Sequence, residues 1–348
     1  MREATTMASA GATAVLAENL HTRRVREDEI PVVDFGPFLS GDAAARRDVA
    51  RAIGRACEEI GFFYIRNHGV ERRLRDTAIV EMKRFFALPQ SEKDRISVRN
   101  SPVHRGYYGS GEENLDPEKQ RQGGDLKEGI NIGRDLGPDD PDVKAGRKLH
   151  GANQWPANLP GWKEAMNAYY AAMVALGKQV MSSFAVALDM PADHFEKDLT
   201  KPMTTLRLLH YPPQQGTITE DQLGCGAHTD FGCFTMLWQD QVGGLQVRNG
   251  KGEWIDATPI PDTYVVNVGD MMARWTNDRF ASTFHRVINA SGAERYSMPF
   301  FFDPNFDAEV SCLPTCLRPG EQPRYAATSG GQHLLDRIDE TFAYRKTL

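Results

Sequence analysis

The sequence predicts a mainly β fold with flanking helices, held in one large domain. Four short segments rich in β-branched and aromatic residues carry the first half of that reading: CFTMLWQ (233–239), GLQVRN (244–249), EWIDA (253–257) and TYVVNV (263–268). They are split by Gly, Pro, Asn or Asp, the pattern of antiparallel strands in a barrel or sandwich. The long runs of helical periodicity lie apart from them, mostly before residue 190. The chain's 348 residues, 41% apolar and 25% charged, are enough for one domain with a sizeable core.

Residues 1–28, rich in Ala, Thr and Ser and then charged, read as a flexible, weakly helical tail without the apolar core of a secretory signal. The domain then occupies 29–348, with a helical part at 29–200, a β core at 201–310 and a C-terminal loop and helix at 311–348. DAAARRDVARAIGRACEEIG (42–61) sets Val49, Ala52, Ile53, Ala56, Cys57 and Ile60 at helical spacing behind Asp42 as a cap. RLRDTAIVEMKRFFAL (73–88) repeats the pattern. Residues 162–190 form the longest such stretch, with Tyr169, Tyr170, Met173 and Phe184 expected in the core against the sheet. Residues 98–160 are loop-rich, the kind of segment that covers active sites. Asn249-Gly250 predicts a hairpin turn, and a last helix is expected over about 332–346.

The chemistry concentrates in the β core. His228 and Asp230 stand in GAHTDFG (226–232), and His285 follows after 54 intervening residues. Two imidazoles and a carboxylate hold Fe(II) on one face of an octahedron and leave positions open for a co-substrate and O2. Residues i and i+2 of a strand point to one side, so His228 and Asp230 are expected to share a strand face, with His285 on another strand. Arg295 and Ser297 repeat the i, i+2 relation in ERYSMPFF (294–301). A buried guanidinium fork beside a hydroxyl is a carboxylate clamp, and the apolar run 298–302 argues against exposure. On TLRLLHY (205–211), alternation sets Arg207 on the face of Tyr211. Arg207 is then either a contact to an anionic substrate or co-substrate, or a structural ion pair inside the barrel.

With these motifs in hand, the chain resembles the isopenicillin N synthase-like group of Fe(II)/2-oxoglutarate-dependent oxygenases. IPVVDFGPFL (30–39), GFFYIRNHGV (61–70), RGYYGSGEEN (105–114), LRLLHYPPQ (206–214), VGGLQV (242–247) and FFFDPNFD (300–307) add to HxD…H and RxS. The likeness runs over roughly residues 29 to 345 and is specific for family, not for substrate. It implies a double-stranded β-helix (jelly-roll) core. It implies that His228, Asp230 and His285 are the iron ligands and catalytic centre, that Arg295 and Ser297 bind the distal carboxylate of 2-oxoglutarate, and that Tyr211 touches the same co-substrate. It further implies O2-dependent hydroxylation, desaturation or cyclisation of a small organic molecule, with release of succinate and CO2. Arg105, Tyr107 and Tyr108 fall where related enzymes line the substrate pocket, loop anchoring being their alternative role. Phe231 and Phe301 add aromatic character to that pocket.

Departures from the family pattern bear on the outcome. Leu209 stands where many members carry Asn, which loosens the role of Tyr211. Oxidases of the isopenicillin N synthase and ACC-oxidase type also keep RxS, so an enzyme using O2 without 2-oxoglutarate stays open. RGYYGSGEE resembles ethylene-forming enzymes, which have Phe in place of Tyr211. Asp230 separates the chain from related halogenases, which carry a small residue there.

Composition excludes several other classes. The net charge is −6, and no Lys/Arg block interleaved with aromatics points to nucleic acid. No apolar run approaches the ~18 residues of a membrane span. The five cysteines are too few for a disulfide framework, and Cys225 and Cys233 lack the paired spacing of a zinc site. Reduced thiols and a cytoplasmic location are expected, with a small molecule as the partner.

Overall fold

Strand alternation explains the layering of the molecule, described by a computed structural model over residues 14–341 apart from 21, 25, 27, 28 and 122. On the strand Phe62–Arg66, Phe63 and Ile65 enter one buried cluster, while Phe62 and Tyr64 enter another. On Met203–Tyr211, Leu206 and Leu208 join the first cluster, and Leu209 and Tyr211 the second. Strands buried on both faces read as nearly continuous apolar runs. They form an eight-stranded sheet in the spatial order Val32–Asp34, Phe62–Arg66, Tyr264–Val268, Phe234–Gln239, Arg295–Asp303, Met203–Tyr211, Glu128–Gly133 and Gly106–Tyr108.

The first cluster lies between this sheet and the helices. Asp42 caps the helix Ala43–Glu59 by accepting from the N–H groups of Ala44 and Ala45, both at 2.9 Å. Tyr169, Met173 and Phe184 of the helix Trp162–Ala187 are fully buried there, and Tyr170 is partly buried against Thr204. The second cluster lies between the eight-stranded sheet and a smaller one of five strands, ordered Arg23–Arg24, Trp254–Asp256, Leu245–Arg248, His285–Val287 and Cys225–His228. Two mostly antiparallel sheets facing each other across a shared core make the expected jelly roll.

Several local expectations are corrected. Within the expected tail, Val15–Leu16 and Arg23–Arg24 are short strands that pair in parallel with Thr217–Ile218 and with the strand Trp254–Asp256. Residues 1–13 of that tail lie outside the described residues. The loop-rich 98–160 supplies the last two strands at one end of the larger sheet, whose brevity and glycines hid their alternation. The hairpin at Asn249-Gly250 is real but longer than two residues. Arg248 pairs with Trp254, Gly252 carries the positive φ, and the Asn249 side chain accepts from the N–H groups of Lys251 and Glu253. The last helix spans Gly330–Thr341, and its expected continuation over 342–346 lies outside the described residues. Among the described residues no helix is long and apolar enough to cross a membrane.

Candidate active site

His228 closes the strand Cys225–His228, and His285 opens the strand His285–Val287 directly opposite it. Their ring centroids lie 4.3 Å apart. Asp230 comes from the turn after the strand, not from the strand itself, so the expected i, i+2 alternation does not deliver it. The helix Asp270–Trp275 pins that turn: the N–H of Asp270 donates to the Asp230 carbonyl at 2.8 Å and that of Met271 to the Gly232 carbonyl at 3.0 Å. Unsatisfied N–H groups of a helix start thus fix the chain reversal.

The three side chains present free atoms to one another. Asp230 Oδ1 lies 3.7 Å from Nε2 of His228 and 3.7 Å from Nε2 of His285. Every other polar atom is already engaged. His228 Nδ1 donates to the Gly226 carbonyl at 2.8 Å, and His285 Nδ1 to the Thr283 carbonyl at 3.1 Å. Asp230 Oδ2 accepts from Thr235 Oγ1 and Asn267 Nδ2, both at 2.6 Å. Burial, with His228 nearby, pushes the His285 imidazole down to about 4, so it is neutral near pH 7. Burial alone would raise the Asp230 carboxyl, but the neighbouring imidazoles and the Thr235 and Asn267 hydrogen bonds bring it below its usual range. Three convergent donors with fixed tautomers and a braced carboxylate fit a divalent cation such as ferrous iron. They are the group of this kind among the described residues.

Two cavities meet at these residues. One, of about 60 Å³, is lined by His228, Asp230 and His285 together with Arg295, Ser297 and Tyr211. Arg295 is wholly buried and closely held. Its Nε donates to the Gly243 carbonyl, Nη2 to Gln239 Oε1 at 3.1 Å and Nη1 to Ser297 Oγ at 3.3 Å, while its guanidinium sits 4.6 Å over the Tyr211 ring. Gly243 and Gly244 both have positive φ, the turn that brings the Gly243 carbonyl to Arg295. A guanidinium and a hydroxyl in a cavity that also reaches the triad fit the far carboxylate of a short dicarboxylic keto acid.

The second cavity, of about 130 Å³, is lined by His228, Asp230, Phe231 and Phe301, and also by Arg105 and Arg207. Arg207 and Phe301 line both cavities. The structural ion pair foreseen for Arg207 is present: Nη1 lies 3.0 Å from Glu113 Oε1, and Nε donates to Asn131 at 2.9 Å. Arg207 nonetheless faces both cavities. Tyr107 and Tyr108 line neither. Adjacent residues of one strand point to opposite faces. Tyr107 packs beside Phe85 with its hydroxyl on Glu128 at 2.7 Å, the anchoring role. Tyr108 is buried between the sheets under the Arg207 guanidinium.

Sequence reasoning missed a buried charge cluster. Lys127 lies 2.8 Å from Glu113 Oε2 and also contacts Asp125, so Glu113 joins it to Arg207. Asp125 in turn accepts from the Gly226 N–H at 2.9 Å, bracing the strand that carries His228. Lys127 also donates to Cys225 Sγ at 3.2 Å; burial pushes that thiol up to about 12, so it stays protonated. A single polar residue inside an apolar strand was the available signal for Asn267 in TYVVNV. No spacing pattern marks Glu113 and Lys127, which meet through loop geometry. All five cysteines are free thiols.

Comparison with known proteins places this geometry. Residues 30–158 match the family described as non-haem dioxygenase in morphine synthesis, N-terminal, and residues 202–304 match the 2OG-Fe(II) oxygenase superfamily. A 2-oxoglutarate-Fe(II) type oxidoreductase of Emericella nidulans, hxnY, is 43% identical over 300 residues, 85% of each chain. A homoarginine-6-hydroxylase of Glycine max is 35% identical, covering 90% of this chain and 97% of its own. Among solved structures, a full-length Neurospora crassa protein in complex with alpha-KG and thymine superposes with a TM-score of 0.79 at 32% identity, covering 91% of this chain and 98% of that one.

Proposed function

Because the chain belongs to the 2OG-Fe(II) oxygenase superfamily, we propose that His228, Asp230 and His285 hold its ferrous iron and that Arg295 and Ser297 anchor its 2-oxoglutarate. The observation that carries this reading is the convergence of triad and clamp on one cavity of about 60 Å³. The enzyme oxidises a small organic molecule held in the adjoining cavity. For a hydroxylation, substrate C–H, 2-oxoglutarate and O2 become alcohol, succinate and CO2. Iron and 2-oxoglutarate together supply the activation of O2.

The chain's own part is binding and orientation. Arg295, held by one N–H each from Nε, Nη2 and Nη1 on Gly243, Gln239 and Ser297, offers its remaining N–H donors with the Ser297 hydroxyl to the far carboxylate of the co-substrate. Tyr211 closes one side of that cavity under the guanidinium. Phe231 and Phe301 present apolar walls that exclude water and set the substrate beside the triad. Arg207, fixed by Glu113 and Asn131, stands where the two ligands adjoin. A cytoplasmic setting fits a ferrous centre and five free thiols.

The test is anaerobic titration of the Fe(II)-loaded protein with 2-oxoglutarate, followed through the weak visible absorption of an iron-chelated keto acid. A saturable band that Arg295→Ala weakens is expected. Bound iron with no band, and O2 uptake on substrate without succinate, would point instead to an oxidase that uses O2 alone.

A further inference from the structure

Among the described residues, Arg105 is a buried cation without a carboxylate partner. It is 8% exposed, and its Nε is enclosed with no acceptor. Among the described residues no carboxylate oxygen lies within 4.0 Å of its guanidinium. Two other buried cations of the site are paired with carboxylates, Lys127 with Glu113 and Asp125, and Arg207 with Glu113, while Arg295 is held by Gly243, Gln239 and Ser297 without one. An unpaired buried charge is costly unless a ligand completes it. Burial accordingly pushes the Arg105 guanidinium pKa down. Arg134 is half-buried on the wall of the same 130 Å³ cavity and, among the described residues, has no carboxylate within 4.0 Å either.

The fold keeps a seat for Arg105. A Cβ on Gly133 would fall 2.1 Å from Arg105 Nη2 and 2.2 Å from its Cζ. Gly133 has no positive φ, so backbone conformation does not demand glycine there. What a side chain there would meet is the Arg105 guanidinium, which lies against Gly133 at the end of the strand Glu128–Gly133.

We infer that the substrate is a small carboxylic acid, single-ring or short-chain, whose carboxylate is bound by Arg105 with Arg134 while its oxidisable carbon faces the triad. The size limit follows from the cavity: about 130 Å³ is close to the ~150 Å³ of an apolar cavity that takes up benzene. Phe231, Phe301, Leu136 and Leu334 provide apolar walls for the carbon skeleton. The planar guanidinium fork matches a carboxylate in two hydrogen bonds. This inference rests on the oxygenase reading, which makes the 130 Å³ cavity the substrate chamber.

Calorimetric binding tests it on the full chain, with Mn(II) replacing iron and 2-oxoglutarate saturating so that Arg295 is occupied. The probes are benzoate, cyclohexanecarboxylate and pentanoate, each against its neutral amide. At least one acid is expected to bind about 10- to 100-fold more tightly than its amide, the effect of charge-assisted hydrogen bonds. Arg105→Gln should abolish that preference and leave amide and 2-oxoglutarate binding unchanged. Gly133→Ala, which keeps the guanidinium but evicts it, should do the same. Failure of every acid to bind, equal affinity for acids and amides, or an acid preference that survives in Arg105→Gln overturns the inference. Failure of 2-oxoglutarate itself to bind overturns the oxygenase reading instead.

Discussion

His285 stands directly opposite His228 across two paired strands, and each ring donates its Nδ1–H to the carbonyl two residues upstream of it. The main chain therefore sets the tautomer of both imidazoles before any metal arrives. Both Nε2 atoms are left facing Asp230 Oδ1.

Metal binding should stabilise such a preformed site directly. Ferrous iron at about 100 times its Kd is expected to add about 2.7 kcal/mol to the unfolding free energy, read anaerobically by urea denaturation with and without chelator. Asp230→Ala should fold without metal and lose the increment. An increment of undiminished size would remove Asp230 from the ligand set.

The partners of Asp230 Oδ2 bear on affinity. Thr235→Val and Asn267→Leu each remove a 2.6 Å hydrogen bond from that oxygen. Each should weaken iron binding by about 10- to 100-fold, measured by competition with a chelator. Wild-type affinity in both variants would mean the carboxylate needs no bracing.

Arg295→Ala separates the two cavities. The KM for 2-oxoglutarate should rise about 10- to 100-fold, the range for a charged hydrogen-bonded pair, with a much smaller change for the organic substrate. Equal effects on both would show that Arg295 supports the fold rather than the co-substrate.

Glu113 holds two cations at once, Arg207 at 3.0 Å and Lys127 at 2.8 Å. Glu113→Leu leaves both buried with less compensation and should destabilise the protein by about 3–5 kcal/mol. Chemical denaturation checks this. A loss below about 1 kcal/mol, the range of exposed pairs, would show that water reaches the cluster.

His68 supplies a pH signature away from the metal. It packs edge-on against Tyr264, ring centroids 4.6 Å apart, and burial with Arg75 nearby pushes its imidazole down to about 4. Between its ordinary value near 6.5 and 4 the unfolded chain binds the extra proton, so stability contributed by His68 is lost as pH falls through that window. His68→Gln should flatten the stability profile from about pH 6.5 to about 4 relative to wild type. Parallel profiles for the two proteins would contradict the burial argument.

Much of the architecture was readable in the residues because it rests on periodicity. Asp42 and the apolar positions after it announce a capped helix, and the strands of the 233–268 region fall within a residue or two of their patterns. The site residues were readable by type and spacing, but not always by mechanism. An i, i+2 pair on a strand and a side chain swung in by the following turn look alike in sequence, and Asp230 is the second kind. Tyr107 and Tyr108 could not both face the cavity, yet nothing in GYY says which face of a short edge strand is inward. Glu113 and Lys127 meet through irregular backbone, which no period encodes.

The carbonyls of Gly226 and Thr283 hold the imidazoles, while Leu136 and Leu334, from a loop and from the C-terminal helix, wall the larger cavity. The carbonyls that aim the imidazoles and these two apolar walls thereby come from separate parts of the chain. Mutation can redraw the chamber while the reactive centre keeps its aim, because no side chain of the chamber orients either ring. A scaffold partitioned in this way can be retargeted by exchanging one loop and one helix, a route open to natural drift and to engineering alike.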